Sequence, residues 1–376
     1  MKTRCVLSQP TPKYMLLKRE ILSWITTMQF RPHDKLPSEN EIAERFGMSR
    51  QTVRQSLGEL EQEGRLYRVQ GKGTFVAEPS TEAQRTSVSG GLTVGLITTH
   101  ISDYIFPMIV RGVESEVRSL GARLLLASTD NEKEKERENL ESMLREPLDG
   151  LIIEPTKSSE GNPNFRFFLA LEAQNIPYIM LNERYSDVDA PVLRMDDELG
   201  GYMAAAHLLE LGHSRIAGFF KTDDNQGVHR MRGFRRAYRE RQLPLDPELL
   251  LRYSTEEKDD KPLEALAALL NREQQERPTA IVCYNDQLAV RLLDVIRQKG
   301  LNVPEDLSIV GYDDSNLATA TEVKLTTIAH PKIEMGEQAV RMLYQLIEKQ
   351  SNGGNLTRDI VYEPRLVIRS STRSIK

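Results

Sequence analysis

Arg50 and Arg54 stand four residues apart in the run Ser49-Arg-Gln-Thr-Val-Arg, with Gln51 and Thr52 between them. On a helix, that spacing puts both guanidinium groups on one face. At a helix N-terminal end such groups suit base edges and phosphates, and either arginine could pair bidentately with guanine O6 and N7. A second set is scattered over the rest of the chain, just past short apolar runs: Thr98, Tyr104, Glu154, Asn182, Lys221, Arg230, Asn285, Asp313 and His330. Carboxylates, amides and an arginine around an apolar or aromatic wall suit a neutral polyhydroxy molecule. Each of its hydroxyls both donates and accepts, and a buried polar group left unpaired costs about 1–3 kcal/mol. Arg230 is read here as an uncompensated arginine, the only arginine of that set.

The first set needs a helix that begins beside it, and the sequence supplies two. Ser38 with Glu41 three residues on is a capping-box signal, so a helix begins just after Ser38, with Ile42 and Phe46 on one face. Gly47 can take the positive φ that ends it. Ser49 then caps a second helix whose buried face is Val53, Leu57 and Leu60. Upstream, Tyr14, Leu17, Ile21, Ile25 and Met28 recur at helical spacing. Downstream, residues 65–69 and 74–76 are β-prone and flank Gln70-Gly71-Lys72-Gly73, a hairpin turn. Three helices and a hairpin make a winged helix-turn-helix, with Lys72 at the tip placed for a phosphate or minor-groove contact.

Charge divides the chain in the same place. Residues 1–79 hold 13 Lys/Arg against 9 Asp/Glu, leaving 37 against 46 for the remainder. A basic N-terminal module on an acidic chain suggests nucleic acid for the first part and another partner for the second. Residues 79–91 are small and polar without a hydrophobic period, and read as a flexible linker between a head at 1–78 and a body at 92–376. In the body, apolar runs at 92–97, 124–127, 150–153, 178–181, 216–220, 280–283 and 308–312 alternate with amphipathic stretches such as 108–120, 198–211, 286–299 and 333–349. This is the rhythm of an α/β domain with parallel sheets covered on both faces. Its length predicts two lobes, with ligands held in the crevice at the carboxyl ends of the strands. The charged run 131–138 reads as a solvated helix face.

The head resembles the GntR family of bacterial transcription regulators, on Leu36-Pro-Ser-Glu, Ser49-Arg-Gln-Thr-Val-Arg and Gln70-Gly-Lys-Gly-Thr-Phe-Val. That resemblance implies DNA contacts by Arg50, Arg54 and the wing-tip residues Gln70, Gly71 and Lys72, and places Lys13 and Glu39 near phosphate and bases. The body is similar to the LacI/GalR effector domain, itself like periplasmic sugar-binding proteins. The motifs are Arg230-Met-Arg-Gly-Phe, Tyr284-Asn-Asp-Gln-Leu-Ala and Val303-Pro-Glu-Asp-Leu-Ser-Ile-Val-Gly-Tyr-Asp-Asp. This likeness implies ligand contacts at Arg230, Asn285 and Asp313. Asn182 and His330 stand where that family carries an aspartate and often a glutamine. The resemblance also implies a homodimer, with the chain crossing between lobes near 193 and over 320–332. A GntR-type head on a LacI-type body is similar to the L-arabinose-responsive repressors, which implies L-arabinose as effector. Spacing and composition by themselves say only a small polar ligand; a different sugar or a sugar phosphate remains the alternative.

Other classes find little support. No apolar run reaches the roughly 18 residues of a membrane helix and the N-terminus lacks a signal-peptide core, so a cytoplasmic protein is expected. Cys5 and Cys283 fall in different modules, which makes a disulfide improbable. Six histidines without a cluster at ligand spacing give no metal site, and no phosphate-binding Gly-Lys-Ser loop or nucleophile–base pair marks an enzyme or a cofactor.

Overall fold

The computed structural model describes residues 13–27, 29–62, 65–69, 72–77, 92–352 and 358–376. Met28, Gln70, Gly71, Cys5 and the linker expected at 79–91 lie outside these residues. The described chain divides into two compact units, one built from the segments 1–90, 140–147 and 166–175, the other from 91–139, 148–165 and 176–376.

In the head, α1 (Lys13–Thr26), α2 (Glu39–Phe46) and α3 (Arg50–Gln62) are followed by the antiparallel hairpin β1 (Leu66–Val69) and β2 (Gly73–Val76). Ser38 caps α2: its side chain accepts from Glu41 N–H, and the Glu41 carboxylate accepts from Ser38 N–H at 2.7 Å. Gly47 closes the helix at φ 59°, a conformation that costs glycine nothing. Ile42, Val53, Leu57 and Leu60 are buried together with Leu17, Ile21 and Trp24 of α1. Trp24, which the expected α1 stripe omits, joins that core and lies under the Arg45 guanidinium, 5.1 Å from the ring centroid.

The body contains two six-stranded sheets. Its elements in order are β3 (Thr93–Thr98), α4 (Phe106–Ser119), β4 (Arg123–Ser128), α5 (Lys133–Met143), β5 (Gly150–Ile153), α6 (Phe165–Ala173), β6 (Tyr178–Leu181), β7 (Val192–Met195), α7 (Asp197–Glu210), β8 (Ile216–Lys221), α8 (Asn225–Glu240), β9 (Leu250–Tyr253), α9 (Lys261–Leu270), β10 (Ala280–Cys283), α10 (Asp286–Gln298), β11 (Ser308–Asp313), α11 (Leu317–Ala320), β12 (Thr326–Ala329), α12 (Lys332–Asn352), β13 (Ile360–Tyr362) and β14 (Arg365–Val367). One sheet runs β13-β7-β6-β5-β3-β4 and is wholly parallel. The other runs β14-β12-β11-β10-β8-β9 and is parallel except for β14, an antiparallel edge strand on β12. Central strands such as β5, β6, β10 and β11 are buried at every position. Covered on both faces, they need continuous apolar sequence.

The chain passes between the sheets three times: between β7 and β8, at His330-Pro331 between β12 and α12, and between β13 and β14. On the first lobe α4 and α12 pack almost backbone to backbone. A Cβ on Gly112 would stand 2.2 Å from Ile333 O, and one on Gly336 2.3 Å from Ile109 O, so both positions require glycine.

One expectation needs correction. The run 131–138 is not simply a solvated face: Asn131 and Glu136 are buried. The Glu136 carboxylate accepts from Thr156 N–H at 3.0 Å and from the Tyr185 hydroxyl at 2.5 Å. Charge density in sequence does not reveal which carboxylate a neighbouring loop will cover.

Candidate functional site

On the head, Arg50, Gln51 and Arg54 are exposed near the N-terminal end of α3. Thr52 is committed locally: its N–H donates to Ser49 Oγ at 3.2 Å and the two hydroxyls share a 2.8 Å hydrogen bond. That cap fixes the start of the helix that carries the arginines. Glu39 sits between two cations, with Arg54 Nη2 at 3.1 Å and Arg68 Nη2 at 3.2 Å. Glu39 thus pairs with both Arg54 and Arg68 on the surface of the head. Exposed ion pairs of this kind contribute little stability, about 0–1 kcal/mol, and serve to orient. Lys13 is exposed as the first residue of α1, and Lys72 is exposed in the hairpin turn, its N–H bonded to Val69 O at 3.0 Å. Arg68, absent from the expected set, joins the same cluster through Glu39.

On the body, a cavity of about 480 Å3 is lined by all eight of Tyr104, Glu154, Asn182, Lys221, Arg230, Asn285, Asp313 and His330. Thr98 is not among them; its hydroxyl donates to His100 O at 2.7 Å. Alternation along the strand turns Thr98 aside and brings its neighbour Thr99 to the cavity instead. In the first sheet the chain order reverses between β3 and β5, and in the second between β8 and β10. The loops that leave those strands carry Thr99 and Tyr104, Glu154, Asp224, and Tyr284 with Asn285, with Lys221 as the last residue of β8. Open α/β sheets hold their ligands at such reversals.

The polar groups form two connected chains. Glu154 accepts from Thr99 N–H (2.8 Å), Thr99 Oγ1 (2.7 Å) and Asn182 Nδ2 (2.7 Å). Because the Asn182 amide nitrogen faces that carboxylate, its oxygen faces His330 Nε2 at 3.3 Å. The imidazole therefore donates through Nε2, and Nδ1, an acceptor, is buried without a partner among the described residues. Burial pushes the His330 pKa down to about 3, which keeps the ring neutral. Burial likewise raises the Glu154 carboxyl.

The second chain surrounds Arg230, which is not the uncompensated cation expected. Its Nε lies 2.7 Å from Asp197 Oδ1 and its Nη2 3.7 Å from Asp313 Oδ1, while Nη1 donates to Tyr284 O at 2.6 Å. The guanidinium also lies 3.5 Å from the Tyr312 ring centroid. Asp197, the first residue of α7, is distant in sequence and carries no motif that would mark it. Lys221 is matched too, 3.1 Å from Asp224 and 3.5 Å from Asp223. Tyr284 OH donates to Asp224 at 2.8 Å. Asn285 caps α10 through its side-chain oxygen. Phe106, Tyr253 and Tyr284 supply the aromatic wall, of which Tyr253 belongs to no motif read from sequence. The lobes are bridged at the cavity wall by Asn131 Nδ2 to Thr255 Oγ1 (2.6 Å), and beyond it by Ser159 Oγ to Thr222 O (2.5 Å) and a Lys157–Glu256 ion pair.

Residues 13–76 match the model of bacterial regulatory proteins of the gntR family, and residues 205–372 that of a periplasmic binding protein-like domain. An arabinose metabolism transcriptional repressor from Geobacillus stearothermophilus is 58% identical over 364 residues, covering 97% of this chain and 98% of the relative. One of the same description from Halalkalibacterium halodurans is 47% identical over 366 residues, 97% of each. The chain belongs to the arabinose metabolism transcriptional repressors. Among solved structures, a LacI family regulator from Enterococcus faecium with bound ribose matches 76% of this chain and all of that chain, at 28% identity and a TM-score of 0.63. The transcription regulator CcpA of Lactococcus lactis matches 75% of this chain and 99% of that chain, at 27% identity and 0.64. The arabinose-repressor architecture thus joins a GntR-type head to a LacI-type body. Among the described residues no helix is long and apolar enough to cross a membrane, and no cluster of metal-binding side chains occurs.

Proposed function

We propose that this repressor holds an operator through its winged head and releases it when L-arabinose binds in the cavity of the body. The observation that carries the choice of ligand is the charge balance of that cavity. Of the four cations that line it, Lys221 and Arg230 face carboxylates at 2.7–3.5 Å, Arg291 faces Asp259 at 2.9 Å and Lys258 is exposed, so the inner wall holds no uncompensated positive charge for a phosphate. A neutral sugar needs mixed donors and acceptors instead, which Glu154, Asn182, Asn285, Asp313 and the acceptor nitrogen of His330 supply. Arg50, Gln51 and Arg54, with Lys13 and the wing tip at 70–72, contact DNA, and Glu39 orients Arg54. Residues 1–78 form the DNA-binding module, 79–91 the linker and 92–376 the effector and dimerisation module of a cytoplasmic homodimer. A dimer presents two heads to the half-sites of one operator. Sugar shifts the balance only by its differential affinity for the two states, and a swing from 1:99 to 99:1 needs about 5.5 kcal/mol.

Fluorescence anisotropy on labelled DNA from the protein's own and neighbouring promoters tests this, with L-arabinose, D-xylose, D-ribose and D-galactose titrated at fixed salt. Release by L-arabinose alone is the expected result. Binding that ignores every sugar, or release by a sugar phosphate, would overturn the effector assignment.

A further inference from the structure

Lys332 is a buried lysine that touches no carboxylate among the described residues. Its Nζ donates to three backbone carbonyls, Asp313 O at 2.7 Å, Asp314 O at 2.9 Å and His330 O at 3.2 Å. As the first residue of α12 it also places a cation where the helix dipole opposes one. Such a placement costs stability unless every donor is satisfied, and here all three protons have an acceptor. The carbonyls it grips belong to an unusual piece of backbone. Asp313 ends β11 at φ 95° and Asp314 follows at φ 46°, a left-handed pair without glycine that the surroundings must hold in place.

Tyr104 grips the same strand end from the other helix of the first lobe. It lies just before α4 at φ 58°. Its hydroxyl donates to Tyr312 O at 3.0 Å and accepts from Asp286 N–H at 3.1 Å. Two side chains at the N-terminal ends of α4 and α12 therefore hold three successive carbonyls of the second lobe, those of residues 312, 313 and 314. The two helices behave as one body, because Gly112 and Gly336 bring their backbones into contact. Asp313, whose carboxylate lines the cavity and faces Arg230, sits at the centre of the grip.

We propose that Tyr104 and Lys332 are positioning residues that couple the effector cavity to the α4–α12 pair: ligand at Asp313 shifts the end of β11, and the two side chains carry that shift into the paired helices. The proposal rests on the sugar-release reading above. It assigns Tyr104 a mechanical role in addition to its place on the cavity wall. Asp313 and the helix pair bear on each other through one short, largely buried segment with left-handed backbone, which gives the coupling a discrete element to bias.

Lys332→Met keeps the length of the side chain and removes all three donors. Sugar affinity is read directly by titration calorimetry, and operator affinity by anisotropy with and without saturating L-arabinose. A coupling of 5–150-fold is typical of such proteins. The expected result for Lys332→Met is a sugar Kd within about fivefold of the parent, with sugar-induced loss of operator affinity cut by about tenfold or more. Tyr104→Phe, which keeps the ring, reduces the same coupling, and Lys332→Arg restores part of it. Circular dichroism confirms that each variant is folded; if Lys332→Met is not, Lys332→Gln, which removes the charge but keeps a donor, decides. Unchanged coupling in a folded variant overturns the proposal. So does a loss of sugar binding large enough to explain the lost release, since that would make the residues simple supports of the pocket. If the parent protein binds L-arabinose but keeps its operator, the release reading has failed and the proposal falls with it; the sugarless arms separate that outcome from a failure at Lys332.

Discussion

Arg230→Ala tests the charge accounting of the cavity more sharply than it tests sugar recognition. Arg230 and Asp197 are both almost fully buried and their atoms stand 2.7 Å apart. Truncating the arginine leaves Asp197 desolvated beside Asp313, and breaking one side of a buried pair costs about 3–5 kcal/mol. For a unit of this size that corresponds to a fall of roughly 6–20 °C in Tm. Burial already raises the Asp197 carboxyl above its ordinary value of 3.8 even with Arg230 as neighbour. Without the arginine the folded state holds that proton still more firmly than the unfolded chain does. The deficit therefore grows as pH rises above the raised Asp197 pKa of the parent, and is larger at alkaline than at acid pH. The assay is thermal and urea denaturation followed by far-ultraviolet circular dichroism. The single tryptophan of the chain, Trp24, belongs to the head, so its fluorescence supplies an internal control that should not move. Arg230→Ala with Asp197→Ala should recover more than 1 kcal/mol of the loss, because the stranded charge has gone. A single-variant cost below about 1 kcal/mol, or a double variant no more stable than the single, would refute the account of this pair.

Three further expectations concern separate parts of the molecule. Ser38→Ala removes the side-chain half of the capping box on α2 and should lower head stability by about 0.5–2 kcal/mol, read by Trp24 fluorescence in urea; no shift would mean that the cap is redundant. Arg50→Ala should weaken operator binding by about 1–3 kcal/mol if it reads a base, whereas a loss that is uniform across DNA sequences and lowers the salt slope by about one would mark a phosphate contact. Asp286 is buried, bonded to Thr327 Oγ1 and to Ser315, and pushed up to about 7. Its folded form keeps the proton that the unfolded chain releases, so the body should lose stability as pH rises from about 4 to 7, by on the order of 4 kcal/mol at most. Asp286→Asn should flatten that part of a stability–pH curve, and an unaltered slope would remove Asp286 as its source.

Local rules carried most of the head. Ser38, Glu41, Gly47 and Ser49 act within three or four residues of themselves, so their spacing alone locates both helix starts and the turn between them. The same holds for the central strands of the body, where 150–153, 178–181 and 280–283 are legible because strands covered on both faces need unbroken apolar runs. Strands β7, β9, β12, β13 and β14 were not read as strands. Edge or short strands such as Val361 and Arg252 keep exposed positions, and their pairing is settled by partners far away in sequence. The cavity divides in the same manner. Residue type and position past a strand end pointed to the eight lining residues, but not to what each one does there. Asp197 became the partner of Arg230, Glu136 went inside, and His330 became a neutral acceptor only because segments separated by 20 to 148 residues meet. Sequence determined which groups are available and which elements carry them. Tertiary structure decided their charge, tautomer and pairing, since desolvation and Coulomb interaction depend on distance in space rather than along the chain.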